Sequence, residues 1–117
     1  MVILDDKVYQ TLSPICPTYL GYVREWQELP YVSYICTSND VARKLNNVEW
    51  TTHHVYKIDL YCHDDDDYVD FATKVDDAMS SLGFKRQSMT LLREETTHLV
   101  FYYTMYLDKD GFAWDSI

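Results

Sequence analysis

The chain has 117 residues, of which 47% are hydrophobic and 25% are charged, so its length and apolar content fit one domain with one core. Its 10 Lys and Arg against 19 Asp and Glu give a net charge of -9, which repels phosphate backbones and disfavours sequence-specific nucleic-acid binding. No stretch approaches the ~20 apolar residues that span a bilayer, and the first residues lack the basic start of a signal peptide. We therefore expect a single cytosolic domain over residues 1–117.

The cysteines Cys16, Cys36 and Cys62 are odd in number and widely spaced. This arrangement fits reduced thiols packed as small hydrophobic side chains better than a disulfide framework or a zinc site. No Cys-x-x-Cys pair is present. The sequence therefore predicts a protein without disulfides.

The first predicted element is a short helix over residues 5–13. Apolar residues from Val8 to Ile15 recur at spacings of four and three, and Asp5 or Asp6 would be its N-cap. Two prolines then end the pattern. We expect this helix to lie on the core.

Extended segments follow the first helix. Residues 18–23 predict a short strand, and residues 31–37 predict a central strand because β-branched and aromatic residues fill both of its faces. The polar, Asn-rich stretch 38–47 predicts a long exposed loop. Residues 48–62 show the clearest alternation in the chain and predict a long strand with one face toward the core.

Four consecutive aspartates, residues 64–67, lead into an amphipathic pattern. Apolar residues at every third or fourth position predict a helix over residues 65–82, which Gly83 would end in the C′ position. Two further strands are predicted at 84–93 and 97–107. The element order predicts an α+β fold, with an antiparallel-rich sheet of about four to five strands and two helices packed on one face.

The last predicted strand is apolar and aromatic on both faces. One face can pack on a helix, and a monomer rarely leaves such a stripe in water, so the other face is predicted to meet a second subunit. Residues 108–117 place an aromatic pair beyond a turn and suggest a docking arm. The candidate interface residues on the strand and the arm are Val100, Tyr102, Tyr106, Phe112 and Trp114.

Metal chemistry has one candidate location in the sequence. His63 beside Asp64 and Asp66 offers nitrogen and oxygen ligands of the kinds that divalent ions use. Acidic side chains at a helix start are also explained by capping and by the helix dipole, without an ion. The sequence contains no calcium-loop motif, so we favour the capping interpretation and expect no metal or other cofactor.

Nucleophilic catalysis has no convincing arrangement either. Cys62 and His63 are neighbours on one strand and point to opposite sides of it, which is the wrong geometry for a catalytic pair. The glycine-rich phosphate-binding motifs and Gly-x-Ser-x-Gly are absent, and the chain has only three glycines. We expect a protein that is not an enzyme.

The element order and several strings of residues resemble the small tail-terminator (tail-completion, or minor tail) proteins of long-tailed bacteriophages and prophages. The strings are Val8-Tyr9-Gln10-x-Leu12-x-Pro14-Ile15-Cys16-Pro17-x-Tyr19, Leu29-Pro30-Tyr31-Val32-Ser33-Tyr34, His54-Val55-Tyr56-Lys57-Ile58-Asp59-Leu60-Tyr61 and Gly83-Phe84. The resemblance covers roughly residues 6–107. These strings reflect fold and packing, and they carry no catalytic signature.

The resemblance implies a structural virion protein. Such a subunit would form a hexameric ring on the finished tail tube, stop its elongation and offer a surface for attachment of the head. Its partners would be other copies of itself, the tail-tube protein and a head-completion or neck protein, with DNA only passing through. It would be in the host cytoplasm during assembly and then in the virion tail, with no membrane partner.

The charged segments acquire a role under this interpretation. The segment 38–47 with Arg43 and Lys44, and the acidic run 64–67, would lie at the rim or the channel of the ring, where acidic residues let DNA pass without sticking. Two alternatives remain: another phage neck or head-completion protein, and an acidic DNA-mimic inhibitor. A DNA mimic would spread its carboxylates along one face.

Overall fold

The computed structural model describes residues 3–23, 27–45, 48–64, 66–93 and 96–108. Two helices and five strands make an α+β fold with one mixed sheet. In chain order the elements are α1 Asp5–Leu12, β1 Thr18–Leu20, β2 Tyr31–Leu45, β3 Val48–Cys62, α2 Tyr68–Ser81, β4 Lys85–Arg93 and β5 Thr97–Asp108.

The strand order across the sheet is β1-β2-β3-β5-β4. β1 pairs with β2 in parallel, whereas β2 with β3, β3 with β5 and β5 with β4 are antiparallel pairs. The long strand β3 therefore lies in the middle of the sheet between β2 and β5, and β1 and β4 are the edges. The molecule is elongated along these strands, with extents of 54 × 26 × 23 Å.

Alternation along β5 separates the two faces of the sheet. Its odd-numbered side chains are buried and its even-numbered ones are half-buried from Thr97 to Asp108. The buried ones join a single core to which both helices contribute, with Val8 and Leu12 from α1 and Val75 and Met79 from α2. Both helices thus lie on the same face of the sheet, where apolar burial stabilises the fold.

The predicted loop over residues 38–47 is wrong, because β2 continues to Leu45. The second half of β2 pairs with β3 up to its last residue, Leu45, which lies opposite Val48. Register shifts at Cys36/Ser38, Val41/Arg43 and Arg43/Lys44 interrupt the ladder, as β-bulges do. Pairing with the long neighbouring strand outweighs the low strand propensity of this polar stretch.

The helix termini differ in detail from the predicted ones. α1 begins after Leu4, which makes no side-chain cap, so the prediction that Asp5 or Asp6 caps it is wrong; both lie in its first turn. α2 begins at Tyr68 and not at residue 65, because the Asp67 carboxylate accepts the N–H of Asp70 and caps the helix there. The end of α2 is as predicted: Gly83 has a φ of 98°, which favours glycine.

Candidate interaction surface

The face of the sheet opposite the helices is the candidate functional surface, and we call it the open face. It carries the even-numbered side chains of β5 and the residues that pair with them on β3, and through β3 on β2. The odd-numbered side chains of β5 point to the other face and are buried. Alternation of side chains along paired strands brings these residues together although they are far apart in sequence.

A row of aromatic rings crosses four neighbouring strands on the open face. Tyr31 and Tyr61 stack with ring centroids 4.7 Å apart, and Tyr61 stacks on His98 at 4.1 Å. Tyr19 on β1 meets the edge of Tyr31 at 5.9 Å. Contacts of this kind between aromatic rings stabilise cross-strand pairs beyond the area they bury. The row therefore makes this end of the open face stiff and apolar.

A second ring pair lies toward the other end of the open face. His53 on β3 stacks on Tyr106 on β5, with centroids 4.4 Å apart, and the two residues are register partners. The Nε2 of His53 also makes a hydrogen bond with the Thr104 hydroxyl. Aromatic contacts thus extend along most of the length of β5.

Three charged or polar side chains adjoin the first row of rings, and one of them, His98, belongs to that row. The Oδ1 of Asp59 lies 2.7 Å from the Nε2 of His98, and its Oδ2 lies 3.9 Å from the Nζ of Lys57. Asp59 is 8% exposed, so this carboxylate is largely removed from water and needs these partners. Together with burial, Asp59 raises the pKa of Tyr31, which keeps that phenol neutral. The cluster therefore supplies the buried Asp59 carboxylate with two cationic or hydrogen-bonding partners.

A shallow cavity of about 120 Å³ opens beside this cluster. Its lining residues are Gly21, Tyr22, Ile35, Thr37, Lys57 and Asp59. Tyr22 is 86% exposed and Ile35 is 37% exposed. Apolar surface is therefore available to a partner at the β2 side of the open face as well.

The structure places three of the predicted interface residues on the open face. Val100, Tyr102 and Tyr106 are half-buried, and their register partners on β3 are Asp59, Lys57 and His53. Phe112 and Trp114 lie outside the described residues. Arg43 and Lys44, predicted in a loop, lie on β2 and pair with Thr51 and Glu49.

Several residues of this surface escaped the sequence analysis. Tyr31 and Tyr61 are 30 positions apart in the chain and His98 follows 37 positions later, so only the register brings them together. The alternation along each strand does place Tyr61 and His98 on the face away from the core, and this is the one signal in the sequence that they share a surface.

The candidate metal corner uses its carboxylates in hydrogen bonds. The Oδ2 of Asp66 accepts the backbone N–H of His63 at 2.8 Å, and the Oδ1 of Asp64 accepts the Thr97 hydroxyl at 3.0 Å. Within the described ranges, no group of three His, Cys, Asp or Glu side chains converges on a common point that could hold an ion. The described part of this corner shapes the turn between β3 and α2.

No protein-family model matches the chain, and no curated protein is significantly similar to it. None of the helices in the described ranges is long and apolar enough to cross a membrane.

Proposed function

We propose that the chain is a structural subunit of a phage tail, with the role of a tail terminator. Copies of it would form a ring on the end of the tail tube, stop its elongation and present a surface to the head-completion or neck protein. The role is non-catalytic and uses no cofactor. The subunit acts in the host cytoplasm during assembly and then in the virion tail, without contact with a membrane.

The open face is the observation that carries this proposal. One face of the sheet is covered by helices, whereas the other carries stacked rings and half-buried apolar side chains over most of β5. Surfaces between subunits are enriched in aromatic residues and depleted of unpaired charge. Rows of Tyr and His that are already held by stacking lose little side-chain entropy on binding, so such a face suits a permanent contact.

The charge distribution supports the same role. The described carboxylates of the helix layer include Asp5 and Asp6 on α1 and Asp70, Asp76 and Asp77 on α2, and Asp64, Asp66 and Asp67 lie at the corner that precedes α2. The open face, in contrast, pairs its Asp59 with Lys57 and His98. In a ring, the apolar face would form contacts and the acidic layer would face solvent or the channel, where it repels DNA and lets it pass.

The decisive experiment is assembly with the tail-tube protein of the genome that encodes this chain. Native mass spectrometry and negative-stain microscopy should show a ring of this chain bound to the end of the tube. Tyr102→Ser removes an aromatic side chain from the open face and should abolish the ring while the subunit stays folded. Val69→Ser is the matched control, because Val69 is 58% exposed on α2, in the helix layer, and should assemble normally.

Two results would remove the proposal. The first is a chain that stays monomeric and does not bind the tube at any protein concentration. The second is a Tyr102→Ser variant that assembles as well as the natural chain. If the chain binds only a neck or head protein and not the tube, it is a phage neck or head-completion protein and not a tail terminator.

The position of the carboxylates favours a second candidate function, an acidic inhibitor that mimics DNA. Such a protein needs negative charges on one side, and both helices contribute aspartates to the same layer. An Asp70→Asn/Asp77→Asn variant should then lose competition with DNA for a nuclease in a filter-binding assay, while Tyr102→Ser should not. The tail-terminator role predicts that neither the natural chain nor any of these variants competes with DNA.

A further inference from the structure

A second cavity lies in the helix layer, on the core side of the sheet. It is found where the start of α1 and the end of α2 meet above the last residues of β5, and its volume is about 180 Å³. This position separates it from the open face and from the smaller cavity there. The cavity therefore lies outside the surface that we assign to the ring contacts.

The wall of this cavity is mostly apolar. The side chains that form it are those of Leu4 at the N-cap of α1, Phe84 between α2 and β4, and Met105 and Leu107 on β5, and each is at most 5% exposed. An apolar cavity of roughly 150 Å³ binds benzene in other proteins, whereas drug-sized ligands need roughly 300–1,000 Å³. The apolar part of a ligand here is therefore the size of one ring or of a short branched chain.

Lys7 of α1 is exposed and adds one positive charge to the lining. Its ammonium makes no ion pair or hydrogen bond with the part of the chain that the structure describes. The nearest carboxylates in sequence, Asp5 and Asp6, are outside the lining, and Asp5 accepts the Tyr56 hydroxyl. The other lysines and arginines with described side chains each have a partner: Lys57, Lys74, Lys85, Arg86 and Arg93. In a chain with a net charge of -9, an unpaired lysine beside an apolar cavity is available to a negatively charged ligand.

The rest of the lining determines where the charge of a ligand would lie. The Ser81 hydroxyl donates to the Ala78 carbonyl at 2.6 Å, so its proton is not available to a second acceptor. Ser81 and Leu82 also form the end of α2, and a helix C-terminus disfavours an anion. A negative charge therefore belongs beside Lys7 and not beside α2.

We infer that this cavity binds a small monocarboxylic acid, with its apolar body against Phe84 and Leu107 and its carboxylate on the Lys7 ammonium. The ligand class follows from a wall that accepts one ring or short chain and from a single cation without a partner. A peptide end of the same charge fits less well, because its backbone N–H groups would be left without acceptors against the apolar wall.

Such a ligand would contact α1, α2 and β5 together, at the place where the two helices meet over the sheet. The inference concerns the helix layer of one subunit, so it does not depend on the proposed ring. A chain that binds the acid but forms no ring would keep this inference and lose the proposed function. A chain that forms the ring but does not bind the acid would do the opposite.

Benzoate and benzyl alcohol are the probes that test the inference, because they share a ring and differ in charge. Titration of the full-length chain, followed by nuclear magnetic resonance, should show saturable shifts of the Phe84 ring and Met105 methyl signals with benzoate. We expect benzoate to bind about fivefold more tightly than benzyl alcohol, as one partly exposed ion pair allows. The net charge of -9 disfavours the anion elsewhere on the molecule, so this preference reports the contact with Lys7.

Lys7→Met keeps most of the apolar stem and removes the charge. This variant should bind the two probes with nearly equal affinity, while its affinity for benzyl alcohol stays that of the natural chain. Lys74→Met is the matched control and should keep the preference for benzoate, because Lys74 is an exposed lysine of α2 that pairs with Asp70 outside the cavity. Leu107→Phe fills part of the cavity and should weaken the binding of both probes, and Lys7→Met decides the question if Leu107→Phe does not fold.

Three results would overturn the inference. The first is that benzoate causes no saturable shift of the Phe84 and Met105 signals. The second is that Lys7→Met binds benzoate as tightly as the natural chain does, which would show adventitious binding without the lysine. The third is that benzyl alcohol binds more tightly than benzoate, which would show an apolar cavity with no preference for a carboxylate.

Discussion

Tyr56 and Tyr103 face each other across β3 and β5, and each holds one of the two helices. The Tyr56 hydroxyl donates to Oδ1 of Asp5 on α1 at 2.5 Å, and the Tyr103 hydroxyl donates to Oδ1 of Asp76 on α2 at 2.9 Å. Both rings are fully buried, at 1% and 0% exposure. Adjacent residues of the sheet therefore fix the positions of both helices through hydrogen bonds to a carboxylate, which are stronger than neutral ones.

Removal of either hydroxyl should weaken the fold. Tyr56→Phe and Tyr103→Phe keep the buried ring and remove one hydrogen bond to a carboxylate, so each should lower the free energy of unfolding by about 1–3 kcal/mol in urea denaturation. Tyr102→Phe makes the same chemical change on the open face and should have a smaller effect. Equal losses at all three positions would show that these hydrogen bonds do not anchor the helices.

The corner between β3 and α2 should depend on capping and not on a metal ion. Asp67→Ala removes the carboxylate that accepts the backbone N–H of Asp70 and caps the start of α2. The loss should cost about 1 kcal/mol of stability, within the range known for such caps. Asp77→Ala changes an exposed aspartate inside the same helix and should cost less. Addition of calcium or magnesium, or of a chelator, should leave the melting temperature of the natural chain unchanged. A rise in melting temperature with either ion would reveal a binding site there.

The elements with a regular pattern are the ones that the sequence predicts well. β3, β5 and α2 each repeat their apolar period over many residues, so the local pattern and the tertiary contacts agree. The odd-numbered side chains of β5 are buried as the alternation indicates. The predicted start of α2 lies three residues too early, because four adjacent aspartates are equivalent in sequence and only the geometry selects Asp67 as the cap.

The second half of β2 and the contacts of the open face could not be predicted in this way. Residues 38–45 are polar and form a strand because β3 offers a partner, which is information held by another part of the chain. The pairing of Asp59 with His98 likewise depends on the register between β3 and β5. A sequence pattern assigns each residue a face of its strand, but it does not identify the neighbour across the sheet.

Mild acid should destabilise the protein through His54. This side chain is 0% exposed, and burial, with the nearby charge of His53, lowers its pKa below the ordinary 6.5. Its Nε2 lies 2.8 Å from the Thr52 hydroxyl, and its buried Nδ1 has no hydrogen-bond partner, so the neutral ring is the form that the fold accepts. The unfolded chain binds a proton near pH 6.5 and the folded chain does not, so stability is lost as the pH falls below that value.

Comparison of the natural chain with His54→Leu tests this assignment. The variant removes the titrating group and should flatten the dependence of the unfolding free energy on pH between about 7 and 5. His63→Gln, a substitution of an exposed histidine, is the matched control for the specificity of this flattening. The same slope in His54→Leu and in the natural chain would assign the acid sensitivity to other groups.

Alkaline pH should destabilise the fold through two buried thiols. Burial raises the pKa of Cys16 from 9.0 to about 11 and that of Cys62 from 9.0 to about 12. The folded chain therefore retains protons that the unfolded chain loses from about pH 9, so stability is complete below that value and is lost as the pH rises toward 12. The pKa values of Tyr56 and Tyr103 are also raised by burial and by their carboxylate partners, which adds to the loss above their ordinary value of 10.0.

The thiol contribution can be isolated below the range in which tyrosine titrates. Urea denaturation of the natural chain between about pH 8 and 9 should show a falling free energy of unfolding, and Cys16→Ala/Cys62→Ala should show a flatter profile from a lower starting value. The lower start follows from the small cavities that the substitutions leave in the core. If the natural chain is equally stable across this range, the two thiols have the same pKa in the folded and unfolded states. The thiols would then not be shielded from water, which contradicts their burial in the structure.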